Sequence, residues 1–204
     1  MDNFEIIKPF GPSIVKIKMS SEMISEINNY VDLIIQDNEK SKNLDEGKNL
    51  IGKVQQEFLM EVDFMKKIKW AEFLASAVSK WVLKEQNKKI KNFQLIKSWI
   101  VRQFQNDYNP VHYHSGHISG AGYLKVPSNL GMTTQVDKTT NENGKLQLIY
   151  GSPNLLSKST HIIKPEVGDF YLFPNYLMHT VYPFNGTDEE RRSVSFNAKL
   201  EFIN

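Results

Sequence analysis

Five histidines, at positions 112, 114, 117, 161 and 179, are the residues here best suited to metal or acid–base chemistry. Three of them, His112, His114 and His117, fall within the run NPVHYHSGHISG. Side chains two apart on an extended strand point to the same face. If the His112, Tyr113, His114 segment is extended, both imidazoles converge on one point, as a metal ion requires. Such a pair is also compatible with surface loop histidines, or with polar side chains satisfied by their neighbours. His179 gains weight from its surroundings. The run GDFYLFPNYLMHTVYPF contains a turn at Gly168-Asp169, an aromatic strand ended by Pro174, and a reversal into a strand that His179 opens. In a jelly roll a histidine there can face the barrel mouth and meet an HxH from an earlier strand. Taken alone it is equally a structural histidine at the rim. His117 sits just past the HxH strand, where a solvent-facing or supporting role is expected, and His161, in STHII, reads as structural.

A buried arginine is the second chemical feature. In RRSVSFNAKLEF, strand alternation sets Arg192 on one face with Val194, Phe196, Ala198, Leu200 and Phe202. Arg191 falls on the other with Ser193, Ser195 and Asn197. Arg192 is therefore expected to point inward beside apolar residues. Leaving a buried guanidinium without an anion costs several kcal/mol. Either an internal Asp or Glu pairs with it, or it grips a ligand carboxylate through two parallel hydrogen bonds.

The elements that must position these groups divide into two parts. A short extended segment at 13–18 precedes a helix start at Ser20 and Ser21. Met23, Ile24, Ile27, Tyr30, Val31 and Ile34 then recur at helical spacing. The polar run SKNLDEGKN reads as a loop. A second helical pattern covers residues 57–84, with Phe58, Val62, Met65, Ile68, Leu74, Val78 and Val82 on one stripe and a break near 65–69. Lys80, Lys84, Lys88, Lys89 and Lys91 read as a solvated face. From Phe93 the period changes to two, and strand-like runs follow at 111–114, 118–126, 146–150, 159–163, 170–173, 179–184 and 192–202. Turn signals such as NDYNP, PSNLG, NENG, GSPN and FNGTDEE separate them. Many short strands without intervening helices indicate a sandwich or jelly roll. The expected fold is a single α+β domain over residues 1–204, with a helical part at about 1–92 packed on a double-stranded, cupin-like barrel at about 93–204.

Composition limits the remaining classes. The 204 residues carry 25 Lys plus Arg against 23 Asp plus Glu, a net charge of +2 that does not point to nucleic acid or an anionic membrane. No apolar run approaches the ~20 residues needed to span a bilayer, and the opening MDNFEIIKPF lacks the layout of a signal peptide. The absence of cysteine removes disulfides, thiolate metal sites and cysteine nucleophiles together. A cytoplasmic location is the expectation, in which the Asn185-Gly186-Thr187 sequon has no meaning. Any transition metal must be held by His, Asp or Glu.

Taken together, HYHSGHISGAGYLKVP, the GKLQL strand ending in GSPN, GDFYLFPNYLMHTVYPF and RRSVSFN resemble the Fe(II)- and 2-oxoglutarate-dependent dioxygenases. More narrowly the pattern is similar to that of the 2OG-Fe(II) oxygenases with H-x-H, S-G-x-x-Y-L, F-P-x-x-x-x-H-x-V-x-P and R-x-S-x-S-F-N. The match runs from about Trp99 to the C-terminus. The resemblance implies a double-stranded β-helix with Fe(II) at its mouth, held by His112, His114 and His179. It implies that Arg192 binds the far carboxylate of 2-oxoglutarate and that Tyr123 touches the same co-substrate. Oxygen and an unidentified substrate complete the reaction, a C–H hydroxylation coupled to decarboxylation of 2-oxoglutarate to succinate.

One departure stands out. The usual facial triad is two histidines and a carboxylate, whereas the middle position here is His114. Three imidazoles can hold Fe(II), and equally Zn(II) or Ni(II). Asp107 could supply a carboxylate only if the NDYN turn folds back. Two further readings follow: a non-catalytic binding protein on the same fold, or a cupin-like metalloprotein that does not use 2-oxoglutarate. Substrate choice is expected in mouth loops such as 128–143, and the N-terminal helices could either back the sheet or pair subunits in a homodimer.

Overall fold

The computed structural model describes residues 4–8, 11–47, 52–54, 56–133 and 138–203. Parts of the polar run 41–49 and of the loop 128–143 therefore lie outside the described residues, at 48–49 and 134–137.

Helix α1 (Ser21–Gln36) begins where the Ser20 hydroxyl accepts from the Met23 amide at 3.1 Å, a side-chain cap on an otherwise orphaned donor. It buries Ile27, Tyr30, Val31 and Ile34. The chain restarts at once as α2 (Asn38–Leu44), because the Asp37 carboxylate caps the amides of Glu39 and Lys40. Part of the expected loop is thus helical. It buries no residue, so its sequence carries no apolar period to read. The pattern expected as one helix over 57–84 is instead a strand and two helices: β3 (Gln56–Leu59), α3 (Val62–Lys67) and α4 (Trp70–Gln86). The break between the helices falls at Lys69, which adopts a left-handed conformation at φ 54°.

Among the described residues, eleven strands form two antiparallel sheets. The larger has the order β1 (Phe4–Ile7), β2 (Ile14–Lys18), β9 (Asp169–Pro174), β6 (Ile118–Lys125), β11 (Arg191–Phe202), β4 (Ile90–Gln103) and β3. The smaller runs β5 (Asn109–His112), β10 (Met178–Val181), β7 (Leu146–Ile149) and β8 (Thr160–Ile163). The first 92 residues are therefore not only helical: they also supply β1, β2, β3 and the start of β4 to the larger sheet.

Both faces of the larger sheet are covered. On one, Ile27, Val31, Trp70 and Leu74 share a core cluster with Ile100, Phe170, Val194 and Phe196. The Trp70 indole donates to Ser98 Oγ at 2.7 Å, so its buried N–H is satisfied. On the other, Tyr123 and Phe173 pack with Leu146, Leu148 and Ile163 of the smaller sheet. Gly120 and Gly122 in β6 permit this layering. A Cβ at Gly122 would lie 2.2 Å from Phe170 Cδ2, and one at Gly120 would lie 2.6 Å from the Tyr171 carbonyl oxygen. The aromatic side chains of β9 and β11 therefore lie directly over a strand that has no side chain in their way. No described helix is long and apolar enough to cross a membrane.

Candidate active site

His112 and His179 are directly opposed across the β5–β10 pair, with ring centroids 4.2 Å apart. His114 lies beyond the end of β5, so strand alternation alone does not aim it. A clamp does: the His114 amide donates to the Asn175 carbonyl at 3.1 Å, and Asn175 Nδ2 donates to the His114 carbonyl at 2.9 Å. Asn175 follows β9, in the FPN turn. The clamp brings His114 Nε2 to 3.1 Å from His179 Nε2, and the candidate ligand atoms of all three histidines lie within 4.8 Å of one another. Two nitrogens each about 2.1 Å from one ion and at right angles would be about 3.0 Å apart. The 3.1 Å spacing of His114 and His179 matches that of two ligands sharing a metal.

Ring orientation favours the same use. His112 Nδ1 lies 2.7 Å from the Pro110 carbonyl, and His179 Nδ1 lies 2.9 Å from the Leu177 carbonyl. A carbonyl can only accept, so each Nδ1 carries the proton and donates it. That tautomer leaves Nε2 with a free lone pair. Burial, reinforced by the neighbouring imidazoles, holds His114 down to about 3 and His179 down to about 4, and burial also lowers His112. All three rings are neutral near pH 7, the form that ligates.

The histidines open onto a cavity of about 430 Å³ between the two sheets. Its wall on β11 is the polar face: Arg191, Ser193, Ser195 and Asn197 line it. Arg191 is 2% exposed and its guanidinium lies 5.2 Å from the Tyr123 ring centroid. It donates through Nη1 to the Gln103 side-chain carbonyl, a neutral partner. Its Nε makes no hydrogen bond, and neither does the buried Tyr123 hydroxyl, among the described residues. Burial pulls the guanidinium pKa down and pushes the Tyr123 phenol up, the latter moderated by Arg191 itself. Among the described residues no carboxylate pairs with this buried cation, whose hydrogen-bond partner is the neutral Gln103, and that suits it to an anionic ligand.

Arg192 faces the other way. It is 0% exposed, but it points to the helix side with Val194, Phe196 and Ala198. Its guanidinium is saturated by protein: Glu190 at 2.7 and 3.0 Å, Asp32 at 2.7 Å, and the carbonyl and side chain of Asn28 at 3.1 Å each. The expectation that Arg192 points into the barrel is therefore corrected. The alternation holds, but the apolar face of β11 packs under α1 and α4, while the cavity wall is polar. The internal acid pair considered for Arg192 is the one found.

The other candidates lie apart. The Asp107 carboxylate accepts from the Phe104 amide at 2.9 Å and is not part of the cluster of three histidines that could hold a metal among the described residues. His117 Nδ1 accepts from the Leu200 amide at 2.9 Å, away from the triad. His161 is in β8, paired opposite Leu148. None of the described residues of 128–143 lines the cavity; they are tied to Asn185 and to Glu189, which binds the Ser128 amide at 2.6 Å. Two cavity residues went unread in the sequence. Arg191 could have been found from its polar companions, since a ligand cavity needs a polar wall. Glu57, in β3, was hidden within a helical-looking stripe.

Residues 97–197 match a protein-family model described as "Putative 2OG-Fe(II) oxygenase". None of the curated proteins compared matches the sequence. Among solved structures, a prolyl-4-hydroxylase from Pseudomonas putida aligns with a TM-score of 0.59 at 10% identity, covering 98% of this chain and 94% of that one. A prolyl hydroxylase from Trichoplax adhaerens, in complex with a hypoxia inducible factor peptide fragment, aligns at 0.56 and 16% identity, covering 98% and 84%. HygX from Streptomyces hygroscopicus, with nickel and 2-oxoglutarate bound, aligns at 0.56 and 12% identity, covering 91% and 82%. Identities this low speak to the fold alone.

Proposed function

We propose, from the match of residues 97–197 to the 2OG-Fe(II) oxygenase family model, that this chain is a 2OG-Fe(II) oxygenase which hydroxylates a C–H bond at a three-histidine iron site with 2-oxoglutarate anchored by Arg191. The observation that carries this reading is the pairing, in one cavity, of three clustered imidazoles and a buried guanidinium that no described carboxylate answers.

His112, His114 and His179 would hold the iron. The Pro110 and Leu177 carbonyls fix the tautomer of two of them, and the Asn175 clamp holds the backbone of the third. Arg191 would take the far carboxylate of 2-oxoglutarate, with Gln103 holding the guanidinium in plane and the Tyr123 hydroxyl free to donate to the same group. When bound, Fe(II) and 2-oxoglutarate supply oxygen activation, with decarboxylation to succinate balancing oxidation of the substrate. Leu146, Phe173 and Val181 wall the cavity and limit water around the reacting groups. The two sheets are read as a double-stranded β-helix, with α1 and α4 backing the larger one so that β11 cannot shift under Arg191. With three neutral ligands, Zn(II) or Ni(II) would compete for the site.

Anaerobic addition of Fe(II) and then 2-oxoglutarate to metal-free protein tests the reading. The weak visible charge-transfer band of a chelated keto acid is expected. Iron binding without that band would favour a metalloprotein that does not use 2-oxoglutarate.

A further inference from the structure

The oxygenase reading leaves one buried charge in the cavity unused. Glu57 is 3% exposed and lines the same cavity as the histidines. Its direction follows from its strand: Phe58, next along β3, belongs to the helix-side core, so Glu57 must project from the opposite face. It pairs across the sheet with Val101, which also lines the cavity. Val101 stands between Trp99, whose ring lies 5.4 Å from that of His114, and Gln103, which holds Arg191. Glu57 therefore sits beside the line that joins the metal ligands to the 2-oxoglutarate anchor, on the outer, β3 side.

Its backbone is satisfied and its side chain is not. The Glu57 amide donates to Asp45 Oδ1 at 3.1 Å, and its carbonyl accepts from Glu46 at 2.8 Å. Among the described residues the carboxylate has neither a hydrogen bond nor an ion pair within 4.0 Å. Lys97, another cavity residue, is a compensating charge that Glu57 feels, but its ammonium is held 4.8 Å over the Trp99 ring. Asp45 and Glu46 oppose ionisation, as burial does, and together they raise Glu57 to about 7. Packing alone gives no reason for an unpaired carboxyl at this place, where an apolar side chain would avoid the desolvation cost. A cation entering the cavity would remove that cost.

We propose that Glu57 is a specificity-determining residue, which recognises a cationic nitrogen, ammonium or guanidinium, on the substrate. The assignment rests on the oxygenase reading for the meaning of "substrate", but its test does not need turnover.

Protein loaded with Ni(II) and 2-oxoglutarate is titrated calorimetrically with two pairs of probes: Nα-acetyl-lysine amide against Nα-acetyl-norleucine amide, and Nα-acetyl-arginine amide against Nα-acetyl-citrulline amide. At least one cationic probe is expected to bind about 10-fold or more tightly than its neutral partner. Glu57→Gln should erase that preference, and Glu57→Asp should keep part of it. Retained Ni(II) binding identifies each variant as folded. Equal binding within both pairs, no binding of either cation, or a preference that survives Glu57→Gln would overturn the proposal. If 2-oxoglutarate fails to bind the nickel form, the oxygenase reading falls separately, and the same titration of unloaded protein still decides the role of Glu57.

Discussion

Arg191 and Arg192 are neighbours in β11, both buried, and they meet opposite surroundings. Arg192 is enclosed by Glu190, Asp32 and Asn28 on the helix side. Arg191 stands over the Tyr123 ring in the cavity, and among the described residues its hydrogen-bond partner is the neutral Gln103. One guanidinium is answered by carboxylates within the fold, and for the other the proposed partner is the carboxylate of 2-oxoglutarate. On the proposed function, one residue serves stability and the other ligand binding.

The stability side can be measured directly. Arg192→Met removes the partner of Glu190 and Asp32 from a fully buried position. Breaking such a pair costs about 3 kcal/mol, reduced here because Glu190 keeps Arg102 at 2.8 Å. Urea unfolding should show a lower midpoint for Arg192→Met than for wild type, and an unchanged midpoint would mean that the network contributes nothing.

Metal should act as a staple. The three ligands come from β5, the segment beyond it and β10, so an ion joins chain regions some 65 residues apart. At a free Ni(II) concentration 100 times the dissociation constant, the native state gains about 2.7 kcal/mol. Thermal unfolding should shift upward with Ni(II), return with a chelator, and not respond in His179→Ala.

Glu57 makes ligand-free stability depend on pH. Its folded pKa of about 7 is raised above the ordinary 4.5 by burial first, with Asp45 and Glu46 adding and Lys97 opposing. For a carboxyl shifted upward, the unfolded state releases its proton first. The favourable contribution is therefore complete below about pH 4.5 and is lost as pH rises through 7. The loss is on the order of 3 kcal/mol. Glu57→Gln should lack it, so urea unfolding at pH 5 and pH 8 should show the variant gaining on wild type at the higher pH. A constant difference between the two proteins would contradict the buried, unpaired assignment.

Gly122 tests the layering beneath the site. An alanine Cβ there would meet Phe170 Cδ2 at 2.2 Å, which the packed ring cannot yield without moving. Gly122→Ala should destabilise by about 1–3 kcal/mol, and a smaller side chain at Phe170 in the same protein should recover part of the loss. Calorimetric unfolding of the single and double variants would separate the two terms.

The histidines were legible because their signal is local. An HxH beside turn residues and a histidine after an aromatic strand can be picked out from spacing, and the family resemblance is what joined the three into one expected set. The choice between Arg191 and Arg192 was not local. Alternation gives the two faces of β11 but does not say which one meets the cavity when both are buried, and the apolar face belonged to the helices. Glu57 was obscured because Phe58, Val62 and Met65 also fit a helical stripe. Its strand exists only through pairing with β4, a partner distant in sequence. The Asn175 clamp on His114 was illegible for the same reason, since it joins two turns that meet only in the folded chain.

The central claim is that Arg191, not its neighbour, anchors 2-oxoglutarate beside a three-histidine metal. The most direct measurement is the anaerobic titration of Fe(II)-loaded protein with 2-oxoglutarate, read at the visible charge-transfer band, in wild type, Arg191→Met and Arg192→Met. Iron should bind to all three. The band should develop in wild type and in folded Arg192→Met at similar 2-oxoglutarate concentrations, and require at least about 10-fold more in Arg191→Met. An Arg191→Met protein that titrates like wild type would contradict the claim.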